Sequence, residues 1–153
     1  MANTYSQIHL QFIFAPKFRA SLIQPDWENN LYKYITGIVQ NHKHKMLSIN
    51  GMPDHVHFLI GFHTTQSVAD LMQDVKADSS QWINENKLTT SRFEWQSGYG
   101  VFSYSKSQVP AVINYIQNQK QHHYKKTFLE EYKLFLDKFK VEYDERYIFK
   151  LPE

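Results

Sequence analysis

The alternation of apolar and polar residues predicts the elements of the first half of the chain. Apolar residues occupy every second position from Ile8 to Phe14, which is the period of a strand with one buried face. From Pro25 to about His42 they recur at helical spacing, and proline is favoured in the first turn of a helix. Segments 46–50 and 55–62 are predicted strands joined by a turn at 51–54, and a second helix is predicted over 67–86.

The second half of the chain predicts two further strand pieces and two helices. The strand pieces cover 92–95 and 100–104, and the helices cover 107–123 and the segment that begins at the capping residue Thr127. The order β-α-β-β-α-β, followed by helices, is typical of a ferredoxin-like α+β sandwich. We therefore predict a ferredoxin-like or RRM-like antiparallel sheet with helices on one face, plus a C-terminal helix that carries Tyr115, in a single domain over residues 1–153.

Composition excludes several classes of protein. The 153 residues are 42% hydrophobic and include no cysteine, so disulfides, thiolate metal sites and cysteine nucleophiles are excluded. No apolar run approaches the roughly 20 residues of a membrane-spanning helix, and the N-terminus lacks the pattern of a signal peptide. We expect a cytoplasmic protein without a membrane partner.

The charge of the chain is more informative in its distribution than in its sum. The formal net charge is only +2, too small to indicate nucleic-acid binding by itself. Basic residues concentrate at Lys17 and Arg19, at 42–45 and at 120–126, whereas acidic residues gather over 130–145. A solvated surface is the usual explanation for such clusters.

A histidine pair is the first candidate for chemistry. His55 and His57 are separated by one residue in a predicted strand, so their imidazoles point to the same face. Two such side chains can bridge to one cation, and Asp54 can accept a hydrogen bond from one of the rings. Two partly exposed sheet histidines explain the same motif, which alone is weak.

The helix predicted over 107–123 carries a second candidate group. Tyr115 and Gln119 lie four residues apart, on one face of this helix and off its apolar stripe, and His122 continues the row. A free phenol has a pKa of about 10, so roughly one in a thousand is ionised at pH 7 and a nucleophilic tyrosine needs activation. A tyrosine at the rim of a helix is the plainer interpretation.

Three sequence blocks in order carry a family resemblance. They are Pro53–Ile60, Trp95–Ser103 and Tyr115–His123. Together they closely resemble the single-tyrosine HUH transposases, the TnpA type encoded by very small insertion sequences of the 200/605 group. The resemblance extends from the first strand through the helix after His123.

The resemblance implies an active site. By position, His55, His57 and Gln119 correspond to the metal ligands of that family and Tyr115 to its nucleophile. The family metal is Mg²⁺ or Mn²⁺, although two imidazoles also suit Ni²⁺ or Zn²⁺. The implied reaction is metal-assisted transesterification of single-stranded DNA, in which a 5′-phosphotyrosine forms and a 3′-OH leaves.

The resemblance also implies partners. Members of the family act as homodimers on single-stranded DNA, recognise hairpins at element ends, and can complete each site with the tyrosine helix of the partner subunit; assembly within one chain or between chains stays open here. We expect DNA contacts from a set of basic residues: Lys17, Arg19, Lys76, Lys120, His122 and His123.

Two other functions fit the same residues. A relative that processes chromosomal repeats would share the active site but differ in substrate. A non-catalytic module that binds single-stranded nucleic acid would stack bases on aromatic residues such as Trp95 and Tyr104, and would need no metal.

Overall fold

The structure, a computed structural model, describes residues 4–122 and 127–143, apart from the side chains of Arg19 and His122. Its strands and helices follow the predicted order: β1 (His9–Phe14), α1 (Pro25–Asn41), β2 (Lys45–Met52), β3 (His55–Gly61), α2 (Val68–Glu85), β4 (Gly100–Tyr104), α3 (Val109–Gln117), α4 (Gln119–His122) and α5 (Phe128–Lys138). Two short 3₁₀ helices are also present, at Lys17–Arg19 and Lys106–Gln108.

The four strands form one antiparallel sheet in the order β2-β3-β1-β4. β1 lies between β3 and β4, with Phe12 opposite Phe58 in β3 and opposite Val101 in β4. This topology confirms the predicted α+β fold. It also places β3, the strand of the histidine pair, in the interior of the sheet, where both of its edges are hydrogen-bonded.

Helices cover both faces of the sheet. On one face, Phe12, Phe58 and other alternate residues of β1 and β3 pack with residues of α1 and α2 in the main apolar core. On the other face, Ile13 and Phe102 pack with α5, and Leu59 packs with Val112 and Ile116 of α3. The predicted covering of one face by α1 and α2 is therefore extended by α3 and α5, whose apolar residues need a surface to bury.

Two local predictions differ from the structure. Residues 92–95 form no strand and contribute a single bridge between Trp95 and Pro16. The backbone N–H and C=O of Phe93 bond instead to the side chain of Asn84 in α2, at 2.7 and 3.1 Å. The helix predicted over 107–123 is divided, because α3 ends at Gln117 and α4 begins at Gln119.

Hydroxyl side chains cap the first turns of two helices, one of them the predicted cap Thr127. Ser67 Oγ accepts a hydrogen bond from the Asp70 N–H at 3.0 Å, and Thr127 Oγ1 accepts one from the Glu130 N–H at 3.2 Å. These bonds satisfy N–H groups that a helix leaves open in its first turn. Within residues 4–122 and 127–143, no helix has the length and apolar character needed to cross a membrane.

The close approach of β2 to β3 at Gly51 generates a stability prediction. A Cβ at Gly51 would overlap the carbonyl oxygen of His55 and lie 3.0 Å from Val56 Cα. Because backbone atoms yield less readily than the end of a side chain, we expect Gly51→Ala to lower the free energy of unfolding by roughly 1–3 kcal/mol. Urea unfolding followed by tryptophan fluorescence measures this loss.

Gly37 is the matched control for this substitution. It lies on the exposed face of α1, and no atom beyond the backbone of its own helix lies within 4 Å of an added Cβ. Gly37→Ala should raise the free energy of unfolding by roughly 0.5–1 kcal/mol, because alanine favours the helix. Equal losses in the two variants would contradict the steric explanation.

Candidate active site

The histidine pair lies on the sheet face that α3, α4 and α5 cover. His55 and His57 are both fully buried, and their ring centroids are 5.1 Å apart. Val56, between them, points to the opposite face and packs in the main core. The alternation of side chains along β3 therefore brings both imidazoles into one buried position.

The helix pair α3–α4 brings Tyr115 and Gln119 to the histidines. Asn50 of β2 donates from Nδ2 to the carbonyl oxygens of Ile116 and Gln117, each at 3.1 Å. Gln119 Oε1 lies 3.1 Å from His55 Nε2, and the ring centroid of Tyr115 lies 6.0 Å from that of His57. These hydrogen bonds from Asn50 of β2 thus position the tyrosine helix over β3.

Asp54 orients His55. Its Oδ1 lies 2.7 Å from His55 Nδ1, so the carboxylate favours a proton on that nitrogen. In the neutral ring, His55 Nε2 then presents a lone pair toward Gln119 Oε1, which is itself an acceptor. The 3.1 Å contact is a hydrogen bond when His55 Nε2 carries a proton or when the amide turns its nitrogen toward the ring. A cation held by Nε2 and Oε1 can take the place of that proton.

A carboxylate from α5 joins the site, and this residue was not predicted. Glu131 is only 4% exposed, and its Oε1 lies 2.7 Å from His57 Nε2. The neighbouring Phe128 stacks on His55 with a centroid distance of 4.3 Å. A sequence signal existed, since Glu131 shares the apolar stripe of its helix with Phe128 and Phe135.

The donor groups at this position suit a divalent cation. Atoms of His55, His57 and Glu131 all lie within 4.8 Å of one another, and Gln119 Oε1 is adjacent. Imidazole nitrogens combined with amide and carboxylate oxygens favour first-row transition metals over Ca²⁺, which prefers all-oxygen sites. His55, His57 and Glu131 are therefore a candidate metal site, to which the predicted ligand Gln119 is adjacent.

Tyr115 lies where it can act on a group bound at this cluster. Its side chain is partly buried and hydrogen-bonds to the side chains of Glu131 and Gln119. Burial, followed by the charge of Glu131, raises the pKa of the Tyr115 phenol well above its ordinary value of 10. Tyr115 also lines a cavity of about 570 Å³, together with Gln11 and Tyr104, and this cavity gives a reacting group access to the residue.

The predicted basic residues lie outside this cluster. Lys120 Nζ donates to Glu28 and to the carbonyl oxygen of Gly51, and Lys17 pairs with Glu94 at 3.1 Å. Lys76 Nζ donates to the carbonyl oxygens of Gln96 and Gly98, and burial lowers its pKa to about 8. The side chains of Arg19 and His122, and all of His123, lie outside the described residues.

The fold and the site define a class, an α+β protein with a histidine pair on a central strand and a tyrosine on a helix above it. The model of the family "Transposase IS200 like" matches residues 4–119, more than half of the chain. The chain therefore belongs to the IS200-like transposases, and the predicted resemblance is confirmed. No curated protein matches the chain.

Two solved structures share the fold. A candidate transposase from Deinococcus radiodurans R1 is 19% identical, with a TM-score of 0.63 over 78% of this chain and 95% of its own. A REP-associated tyrosine transposase bound to a REP hairpin is 12% identical, with a TM-score of 0.60 over 80% of this chain and 73% of its own. At these identities the similarity shows the fold alone.

The donor cluster predicts that Mn²⁺ stabilises the protein. At a concentration 100 times its Kd, a ligand that binds only the folded state adds about 2.7 kcal/mol to the free energy of unfolding. We expect His57→Ala to remove most of this gain and His63→Ala, an exposed histidine outside the cluster, to retain it. Thermal unfolding with and without Mn²⁺ measures both effects, and an equal gain in both variants would contradict the site.

The raised pKa of Tyr115 gives stability a pH dependence of definite sign. Its phenol ionises more easily in the unfolded chain than in the fold, so the free energy of unfolding falls as pH rises above about 10. Tyr115→Phe should make this slope shallower, by at most about 1.4 kcal/mol per pH unit and by less because the ring is only partly buried.

Urea unfolding at about pH 9, 10 and 11 measures this slope. Tyr5→Phe is the control, because Tyr5 is 92% exposed and its replacement should leave the slope unchanged. If Tyr115→Phe retained the slope of the unmutated protein, the phenol of Tyr115 would not be held protonated by the fold.

Proposed function

We propose that the protein cleaves and rejoins single-stranded DNA through a covalent bond between Tyr115 and a 5′-phosphate. One observation carries the proposal, namely that a tyrosine hydroxyl, a buried histidine pair and a carboxylate meet beside one accessible cavity. His55, His57 and Gln119, the ligands implied by the family resemblance, would hold Mg²⁺ or Mn²⁺, and this leaves the Glu131 carboxylate of the same cluster to face the phenol. The cation, when bound, supplies positive charge that withdraws electrons from the scissile phosphate.

The residues of the chain account for the remaining steps. The Tyr115 oxygen attacks phosphorus, the bond from phosphorus to the 3′-oxygen breaks, and the 3′-oxygen leaves as a 3′-OH after taking a proton from solvent. The Glu131 carboxylate, hydrogen-bonded to the phenol, receives its proton. A 3′-OH then attacks the phosphotyrosine, which rejoins the DNA and restores Tyr115. Each step exchanges one phosphoester bond for another, so no nucleotide cofactor is needed.

The raised pKa of Tyr115 makes the neighbouring carboxylate important. A phenol with a pKa above 10 is almost wholly neutral at pH 7, and a neutral phenol is a weak nucleophile. Removal of its proton during attack therefore requires an acceptor already within hydrogen-bonding distance. The contact between Tyr115 and Glu131 supports this role for Glu131.

The DNA partner is proposed from the family and from one structural neighbour. The REP-associated relative was solved with a REP hairpin, which supports a hairpin substrate for this chain and favours the repeat-processing alternative over a module without catalysis. Lys17, half exposed at the surface, is the most accessible of the predicted phosphate contacts described here. The homodimer remains a prediction, and Tyr115 already lies beside His57 of its own chain.

The nucleophile is tested with Tyr115→Phe. We expect the unmutated protein, mixed with labelled single-stranded DNA from the flanks of its gene and Mn²⁺, to form a denaturant-resistant adduct. Its mass should equal that of the protein plus the 5′-phosphorylated fragment, less one water. Tyr115→Phe should form no adduct but still bind the hairpin, because the phenol oxygen alone is lost.

Tyr5→Phe and His57→Ala complete the experiment. Tyr5 is exposed and should be dispensable, whereas His57→Ala should suppress cleavage strongly because it removes a proposed ligand. Cleavage by Tyr115→Phe at the unmutated rate would disprove the proposal. Hairpin binding without any adduct, in protein shown to bind Mn²⁺, would favour the non-catalytic module.

A further inference from the structure

A buried glutamine links the candidate metal site to the neighbouring strand. Gln11 of β1 is fully buried in a strand that is otherwise mostly apolar, and its Nε2 lies 3.0 Å from His57 Nδ1. Its Oε1 accepts a hydrogen bond from the Tyr104 hydroxyl at 2.7 Å. A buried amide is costly unless both of its ends are paired, and here the two partners are a proposed metal ligand and a tyrosine of β4.

These hydrogen bonds form a series in which each donor points the same way, from Tyr104 toward His57. The Tyr104 hydroxyl donates to Gln11, and Gln11 Nε2 donates to His57 Nδ1, so the proton of a neutral His57 ring lies on Nε2. That nitrogen faces Glu131 Oε1 at 2.7 Å. With the amide in this orientation, every link points toward the carboxylate. The amide can also turn over, so that its oxygen faces His57 Nδ1 and its nitrogen faces Tyr104.

A cation at the histidine pair requires the opposite tautomer. A metal-ligating nitrogen must present its lone pair, so His57 Nε2 has to lose its proton and Nδ1 has to carry one. An Nδ1–H group needs an acceptor, and the amide oxygen of Gln11 is the acceptor within reach once the amide turns over. The Tyr104 hydroxyl, which both donates and accepts, can then accept from Gln11 Nε2.

We propose that Gln11 and Tyr104 are positioning residues that select the tautomer of His57 and reverse their hydrogen bonds when a cation binds. The inference rests on the proposed function only in taking His57 as a metal ligand. His55 differs from His57 in this respect, because Asp54 carries only acceptors and holds the proton of His55 on Nδ1. His55 is therefore held in the tautomer that binds a metal, whereas His57 can change from one tautomer to the other.

Three variants separate this role from simple packing. Gln11→Leu removes both the donor and the acceptor, and should weaken Mn²⁺ binding by about 10- to 100-fold. Gln11→Glu supplies an acceptor only, like Asp54, and should retain or tighten binding. Tyr104→Phe should weaken binding less than Gln11→Leu, because Gln11 keeps its contact with His57. A merely structural role predicts that Gln11→Glu is at least as harmful as Gln11→Leu.

Gln66→Leu is the matched control. Gln66 Oε1 lies 2.9 Å from His44 Nε2, so it is a glutamine–histidine contact of the same kind but outside the site. Mn²⁺ affinity, measured by isothermal titration with each variant shown to be folded by circular dichroism, should be unchanged in Gln66→Leu. A loss as large as that of Gln11→Leu would overturn the proposal.

The tautomer itself provides a readout that does not depend on DNA cleavage. With ¹⁵N-histidine labelling, His57 of the metal-free protein should carry its proton on Nε2, and addition of Zn²⁺ should move it to Nδ1. Gln11→Glu should show the Nδ1 proton before Zn²⁺ is added. If Gln11→Leu does not fold, the same spectrum is recorded with Tyr104→Phe, which keeps Gln11 in place.

The outcomes distinguish this inference from the proposed function. An unchanged His57 tautomer and unchanged Mn²⁺ affinity in Gln11→Leu would overturn the role of Gln11 and leave the tyrosine chemistry standing. Normal tautomer switching in a protein that forms no DNA adduct would support the role of Gln11 while the proposed function failed. Failure of the unmutated protein to bind Mn²⁺ or Zn²⁺ would overturn both the role of Gln11 and the proposed function.

Discussion

Burial of two imidazoles on an interior strand constrains the architecture around them. A polar ring in an apolar environment costs free energy unless its nitrogens have partners. The partners of His55 and His57 come from four parts of the chain: the β2–β3 turn, α4, β1 and α5. The hydrogen bonds that satisfy two histidines therefore also hold the tyrosine helix and the C-terminal helix on the sheet.

The helix α5 sets the environment of the tyrosine as well as closing the core. Phe135 contacts the rings of both His57 and Tyr115, at centroid distances of 6.2 and 5.6 Å, and Glu131 adds a carboxylate beside them. Burial of the phenol, followed by the charge of Glu131, raises the pKa of Tyr115, which is why a nearby proton acceptor matters. The acidic C-terminal segment thus contributes one residue to the candidate site.

Much of the site could be predicted because its parts obey local periodicities. The spacing of His55 and His57 implied one face of a strand, and the spacing of Tyr115 and Gln119 implied one face of a helix. The contribution of Glu131 was missed because its acidic segment suggested a solvated surface, although Phe128 and Phe135 share its helical face. The strand predicted at 92–95 is absent because the backbone of Phe93 bonds to the side chain of Asn84, so that only Glu94 to Gln96 pair with the segment after β1.

The sequence by itself determined the order of strands and helices, the shared face of the histidine pair and the position of the tyrosine one turn before Gln119. Only the tertiary structure decided that α3 and α4 dock over β3, that Glu131 reaches His57, and that Gln11 connects His57 to Tyr104. The physical reason is distance along the chain. Periodicity reports which residues share a face, but contacts such as Gln11–His57 and His55–Gln119 join residues 46 and 64 positions apart, and these depend on how the faces pack.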